Sequence, residues 1–129
     1  MDSEALLGAA REARRRAYAP FSGFAVGAAI LAADGRVFTG CNVENRSFGL
    51  SLCAERAAVA AAVAAGSRQF SAVAVVTDAE PPAAPCGLCR ETLAEFCGPE
   101  LPIHLGGADG SRRDTTLGEL FPEPFVFRR

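Results

Sequence analysis

Lysine and tryptophan are missing from this chain, and histidine, methionine and tyrosine occur once each. All 13 basic residues are arginines, a bias that, with the heavy use of alanine, reflects the nucleotide composition of the gene rather than a function. No apolar run approaches the roughly 20 residues that a membrane-spanning helix needs, so a soluble chain is expected. The formal net charge of -2 gives no electrostatic reason to expect nucleic acid or an anionic membrane as partner. The opening residues, MDSEALLGAAREARRR, are acidic before they are basic and hold no apolar core followed by a cleavage site. A secretory signal is therefore not expected, and the cytoplasm is the default location. An even number of regularly spaced cysteines is also lacking. The five cysteines are unevenly placed, two of them in a CxxC, which suits a reducing compartment and metal or catalytic use better than a disulfide framework. What is present, 129 residues of which 50% are hydrophobic and 22% charged, fits one globular domain over residues 1 to 129.

The apolar pattern switches period several times, without an internal repeat, linker or low-complexity tract. Ser3 is placed to cap a first helix running to about Ala17, with Leu6, Leu7, Ala10, Ala13 and Ala17 on one face. Arg14, Arg15 and Arg16 are consecutive, so they fan around that helix as a solvated surface instead of forming one basic face. APFSG then breaks the helix. Two apolar runs, 24 to 31 and 36 to 43, are joined by AADG, whose Asp34-Gly35 signals a hairpin of antiparallel strands. Residues 53 to 65 read as a helix stopped by Gly66, FSAVAVVT as a buried strand, 86 to 97 as a helix stopped by Gly98, and LPIHL as a further strand. Alternation of strand and helix implies parallel pairing. The expected architecture is α/β: a mixed sheet with helices on both faces and a ligand site at the carboxyl edge of the strands, beside helix N-termini.

Two cysteine-bearing turns fall at such N-termini. In SLCAERAAV, Cys53, Glu55 and Arg56 crowd the mouth of an Ala-rich helix; in PCGLCRETLAEF, Cys86, Cys89 and Arg90 do the same. Cys86 and Cys89, at i and i+3, put their sulfurs on one helix face, where unpaired N–H groups favour thiolate over thiol. Alone, PCxxC serves a redox dithiol or half of a structural zinc knuckle equally well. With Cys53 as a third thiolate, the set becomes a catalytic zinc site, because three protein ligands leave the fourth tetrahedral position open for water. Glu55, two residues beyond Cys53, is then placed to take a proton from that water without being a ligand. A closed structural site would need Cys41, Cys97 or His104, and none has a spacing that suggests it. Cys41 and Cys97 read as buried small hydrophobes and His104 as an ordinary strand residue. A cation such as Arg56 at the first turn of a helix is unfavourable, which calls for an anionic neighbour such as thiolate. Asn42 and Glu44, two apart in an extended segment, point to the same side and are able to pair with sugar hydroxyls.

CAE at 53 to 55 and PCGLC at 85 to 89 match the zinc-deaminase signature in its Cys-for-His form. More widely, AYAPFSGFAVGAAIL, GRVFTGCNVENRSFGLSLCAERAAV and PCGLCRETLAEF resemble the small, tetrameric cytidine deaminases over nearly all of the chain. The resemblance implies a five-stranded sheet in a three-layer α/β/α sandwich and one Zn²⁺ per chain. It implies hydrolysis of cytidine and 2′-deoxycytidine to the uridine nucleosides with loss of ammonia, a step of pyrimidine salvage in a cytoplasmic homotetramer. Cys53, Cys86 and Cys89 would bind zinc, and Glu55 would shuttle the proton between water, ring N3 and the leaving amino group. Asn42 and Glu44 would hold the ribose 3′-hydroxyl, with Phe24 and Ala54 beside the pyrimidine. Phe48 and Phe125 would close the pocket, partly from neighbouring subunits. Apart from the resemblance, charge balance puts Arg56 behind the ligand sulfurs, while Arg90, directly after Cys89, either shares that task or faces solvent. Phe48 occupies a place where some members have Tyr, so a hydroxyl contact there is lost. Two other classes stay open: a related zinc deaminase acting on a blasticidin-S-like aminocytosine compound or a nucleic-acid base, and a non-catalytic zinc-stabilised interaction module.

Overall fold

A computed structural model describes residues 1–107 and 109–126. Helix α1 (Ser3–Arg14) is followed by strands β1 (Gly27–Ala32) and β2 (Val37–Cys41), then by a short 3₁₀ turn, Phe48–Leu50. Helix α2 (Ala54–Ala64), strand β3 (Phe70–Thr77), helix α3 (Gly87–Phe96), strands β4 (Pro102–Gly107) and β5 (Arg112–Thr116), and the single-turn α4 (Leu117–Leu120) complete the order. The sheet runs β2-β1-β3-β4-β5. Among the described strands β3 and β4 are the one parallel pair; β1 is antiparallel to both of its neighbours and separates β2 from β3. The alternation of strand and helix thus gives parallel directions without giving parallel neighbours at every step.

The sheet is the middle of three layers. On one face Leu6, Leu7 and Ala10 of α1 pack on Ala29, Ala74 and Val76. On the other, Ala54, Ala58 and Val59 of α2 and Leu93 of α3 meet Ala28, Ile30, Val73, Val75, Ile103 and Leu105. Along β3, Val73 and Val75 go to the second face and Ala74 and Val76 to the first, because side chains point to opposite faces at each step. The β1–β2 turn places Gly35 at φ +92°, a conformation that suits glycine, and Asp34 Oδ1 accepts from the Arg36 N–H at 3.0 Å.

Several boundaries differ from expectation. The cap of α1 is Asp2, whose Oδ1 accepts from the Ala5 N–H at 2.8 Å, whereas Ser3 is already helical and its hydroxyl accepts from Arg112 at 2.9 Å. The helix ends at Arg14 and not at Ala17, because the amides of Arg15, Arg16 and Ala17 bond three residues back, as in a tightened last turn. Arg14 is not solvated like its neighbours: its Nε donates to the Ala25 carbonyl at 3.0 Å and its Nη2 pairs with Asp78 at the end of β3. Both hairpin strands are shorter than their apolar runs, since residues 24–26 and 42–44 leave the ladder for contacts described below. Gly40 lies where β2 meets α2: a Cβ there would fall 2.5 Å from the Ala54 carbonyl oxygen and from the Ala58 amide nitrogen. This close approach seats the first turn of α2, and with it Cys53, against the sheet.

Candidate metal centre

Cys53 and Cys86 are the N-cap residues of α2 and α3, both in extended backbone, and neither side chain caps its helix. Their sulfurs are therefore free for other work. Cys89, fully buried in the first turn of α3, completes the group. The Sγ atoms of Cys53 and Cys86 are 3.8 Å apart, those of Cys86 and Cys89 3.5 Å, and all three lie within 4.8 Å of one another. Tetrahedral zinc with Zn–S bonds of about 2.3 Å requires sulfurs about 3.8 Å apart, so the trio fits that ion. Among the described residues no fourth His, Cys, Asp or Glu joins the group, and one coordination position stays open to a small molecule.

The charges say the same. Burial raises the Cys89 thiol far above its ordinary value, and the nearby Glu55 carboxylate and Cys53 sulfur raise it further. Cys53 is raised by burial too, against the pull of Arg56. At Cys86 burial is opposed by hydrogen bonds from the Cys89 and Leu88 amides and from the other two thiols, which leave its thiol lowered. Three sulfurs and a carboxylate held this close repel one another as anions, and a bound dication reverses that balance.

Glu55 is 5% exposed, and burial raises its carboxyl above the usual range. Such a group sits nearer the operating pH of a proton shuttle than a solvated glutamate does. Arg56 donates from Nη2 to the Ser51 carbonyl at 3.1 Å and reaches Cys53 Sγ at 3.8 Å. Arg90 does otherwise. Its Nε donates to the Pro85 carbonyl at 2.9 Å and its Nη1 to the Leu120 carbonyl at 2.8 Å, so it braces the loop before α3 against α4 instead of facing sulfur.

A cavity of about 270 Å³ opens beside the trio. Phe24, Asn42, Glu44, Cys53, Ala54, Glu55 and Cys86 all line it, so the structure brings these residues, far apart in the chain, to one cavity. Sequence reasoning missed Val26, Ser51, Leu52, Val75, Thr77, Ala83 and Ala84, which complete the wall. Ala83 and Ala84 directly precede PCGLC, and Thr77 ends a buried strand beside the helix N-termini; position was their only available signal. The Asn42 side chain accepts from the Val26 N–H at 2.8 Å and donates to the Phe24 carbonyl at 2.8 Å. Glu44 Oε1 accepts from the amides of Phe21 at 2.9 Å and Ser22 at 3.1 Å, and its Oε2 accepts from the Ser22 hydroxyl. Those bonds, the Ser22 hydroxyl first, hold Glu44 below the usual carboxylate range.

Phe48 and Phe125 are not brought to this cavity. Phe48 is 76% exposed and meets Phe21 edge-on at 6.2 Å, while Phe125 is 77% exposed beside a separate groove along α3. Cys41 stands apart from the trio, Cys97 is pushed up to about 11 by burial and by Glu100, and His104 Nδ1 pairs with Asp114 Oδ1 at 2.7 Å.

An open three-thiolate centre at paired helix N-termini, with a buried carboxylate beside it, defines a zinc-dependent hydrolase of the α/β class. Residues 1–105 match the family described as the cytidine and deoxycytidylate deaminase zinc-binding region, and the chain belongs to it. The ion that the trio fits is accordingly zinc, one per chain. The chain is 46% identical to the cytidine deaminase of Sporosarcina psychrophila, over 97% of this chain and 92% of that protein. It is 47% identical to the cytidine deaminase of Mycobacterium tuberculosis, over 97% of this chain and 90% of that one. The crystal structure of cytidine deaminase from Burkholderia pseudomallei superposes with a TM-score of 0.93 at 50% identity, covering 97% of this chain and all of that one.

Proposed function

We infer that the protein hydrolyses cytidine and 2′-deoxycytidine to uridine and 2′-deoxyuridine with release of ammonia. The observation that carries this reading is one cavity with thiolates and a raised carboxyl at one end, and Asn42, Glu44 and Phe24 at the other. Zinc held by Cys53, Cys86 and Cys89 supplies Lewis acidity that makes a hydrolytic nucleophile available at neutral pH. Glu55 would take one proton from the attacking water and give it to ring N3, then take the second from the oxygen now on C4 and give it to the departing amino nitrogen, so that water's two protons end on the uracil ring and on ammonia. Phe24 offers the pyrimidine an apolar wall, and Ala54 bounds the ring where the first turn of α2 begins. Asn42 keeps one amide hydrogen and one lone pair beyond its two bonds, and Glu44 keeps a free acceptor direction, so both are able to take sugar hydroxyls.

The same lining argues for a nucleoside and against a nucleotide, because it contains two carboxylates and no basic side chain to meet a 5′-phosphate. Phe48 and Phe125, with the exposed Leu50 and Leu88, leave apolar surface that a homotetramer would cover, each aromatic closing a neighbour's cavity. Residues 1 to 129 act as one domain on this reading, which is supported by the pairing of all five strands in one sheet. No helix of the described residues is long and apolar enough to cross a membrane. The role we propose is in pyrimidine salvage in the cytoplasm. Ammonia release from cytidine and from cytidine 5′-monophosphate, measured side by side, tests the reading. Turnover of the nucleoside with little of the nucleotide is expected; preference for the nucleotide, or turnover of neither, contradicts it.

A further inference from the structure

Ser22 lies on an exposed loop and is neither a metal ligand nor buried, yet its hydroxyl ties together two residues, Phe24 and Glu44, at the end of the substrate cavity away from the thiolates. It accepts from the Phe24 N–H at 2.9 Å and donates to Glu44 Oε2. The directions are fixed by chemistry. An amide can only donate, so the hydroxyl receives from Phe24 and its single proton must go to the carboxylate.

The count of lone pairs at Glu44 then matters. Oε1 offers two acceptor directions, and the amides of Phe21 and Ser22 fill both. Oε2 offers two more, and the Ser22 hydroxyl fills one. A single acceptor direction remains for a ligand on a carboxylate that lines the cavity. Phe24 is tied to the same hydroxyl through its amide, and Asn42 holds its carbonyl.

We propose that Ser22 is a positioning residue that locks Glu44 and Phe24 into one unit and leaves a single carboxylate acceptor site for one sugar hydroxyl. The proposal rests on the nucleoside reading above. Removing the hydroxyl frees a second acceptor direction, lets the carboxylate turn, and leaves the Phe24 amide without its partner. The sugar grip is made in the ground state and the transition state alike, so its loss appears in KM more than in kcat.

The test compares the parent with Ser22→Ala and Ser22→Thr, using cytidine and 2′,3′-dideoxycytidine. With cytidine, Ser22→Ala is expected to raise KM about tenfold while kcat stays within about threefold, and Ser22→Thr, which keeps the hydroxyl, to restore the parent value. With the dideoxynucleoside, which lacks the hydroxyls to be gripped, Ser22→Ala should raise KM far less than with cytidine, only by what the loosened Phe24 wall costs. Ser22→Ala combined with Glu44→Gln should cost little more than Glu44→Gln alone, since the two act through one contact. A parent that deaminates cytidine while Ser22→Ala keeps its KM overturns the proposal. So does an equal penalty on both nucleosides, which would mark Ser22 as loop structure only. A parent that turns over neither nucleoside would instead overturn the nucleoside reading.

Discussion

The guanidinium of Arg56 lies against the thiol of Cys53, with Nη2 3.8 Å from Sγ. A cation in the first turn of α2 opposes the helix dipole by a few tenths to about 1 kcal/mol. Three thiolates on Zn²⁺ leave a formal charge of -1, and a guanidinium beside them draws electron density from sulfur and restores Lewis acidity. Arg56→Gln should therefore keep the fold but lower zinc retention or turnover by roughly tenfold, and move the acid limb of the pH–rate profile to higher pH. Cys53→His in that background removes one negative charge and should recover part of the loss. Zinc content and a pH profile equal to the parent's would reduce the arginine to a tie for the Ser51 carbonyl.

Zinc should be held by Cys53, Cys86 and Cys89 without help from the other two cysteines. Cys41→Ala and Cys97→Ala are expected to retain about one zinc per chain by elemental analysis, because neither sulfur belongs to the trio. Cys89→Ala should lose the metal. Loss of zinc from the Cys41 or Cys97 variant would contradict the open site.

Asp114 supplies a pH dependence away from the site. The Arg112 guanidinium, then the paired His104, hold its carboxyl below the usual range. A carboxyl whose folded pKa lies below its unfolded one contributes stability above the unfolded value, about pH 4, and loses it as the pH falls through the folded value. Urea midpoints of the parent and Asp114→Asn should therefore differ most at neutral pH and converge toward pH 2. A gap that stays constant across that range would show that the ionised carboxylate does not stabilise the fold.

The legible parts of the sequence were those with a local signature. FSAVAVVT is β3 residue for residue, because an unbroken β-branched and apolar run bounded by polar residues has few other uses. Cys53, Glu55, Cys86 and Cys89 were readable because helix starts leave a mark in sequence, and two of them met in a sheet must face each other. Strand β5 went unread: Arg112, Arg113 and Asp114 make a charged edge strand, the form that discourages further pairing and hides the usual pattern. Contacts between distant segments leave no local trace either. Arg14 with Asp78, Arg90 with Leu120, and Glu44 with the amides of Phe21 and Ser22 span 64, 30, 23 and 22 positions respectively. The sequence marks Glu44 as a sugar ligand or part of a polar turn, but not as the carboxylate that organises the loop carrying Phe24.

On the proposed mechanism, Glu55 moves the protons in a hydrolysis for which Cys53, Cys86 and Cys89 hold the metal. That role is tested most directly by measuring zinc content and the release of ammonia and uridine from cytidine on the same preparations of parent and Glu55→Gln. Equal zinc, equal amounts of ammonia and uridine from the parent, and a turnover lower by about 10²- to 10⁴-fold in Glu55→Gln are expected, since glutamine matches glutamate in size but does not carry the proton. Zinc-loaded Glu55→Gln working within tenfold of the parent would contradict that role.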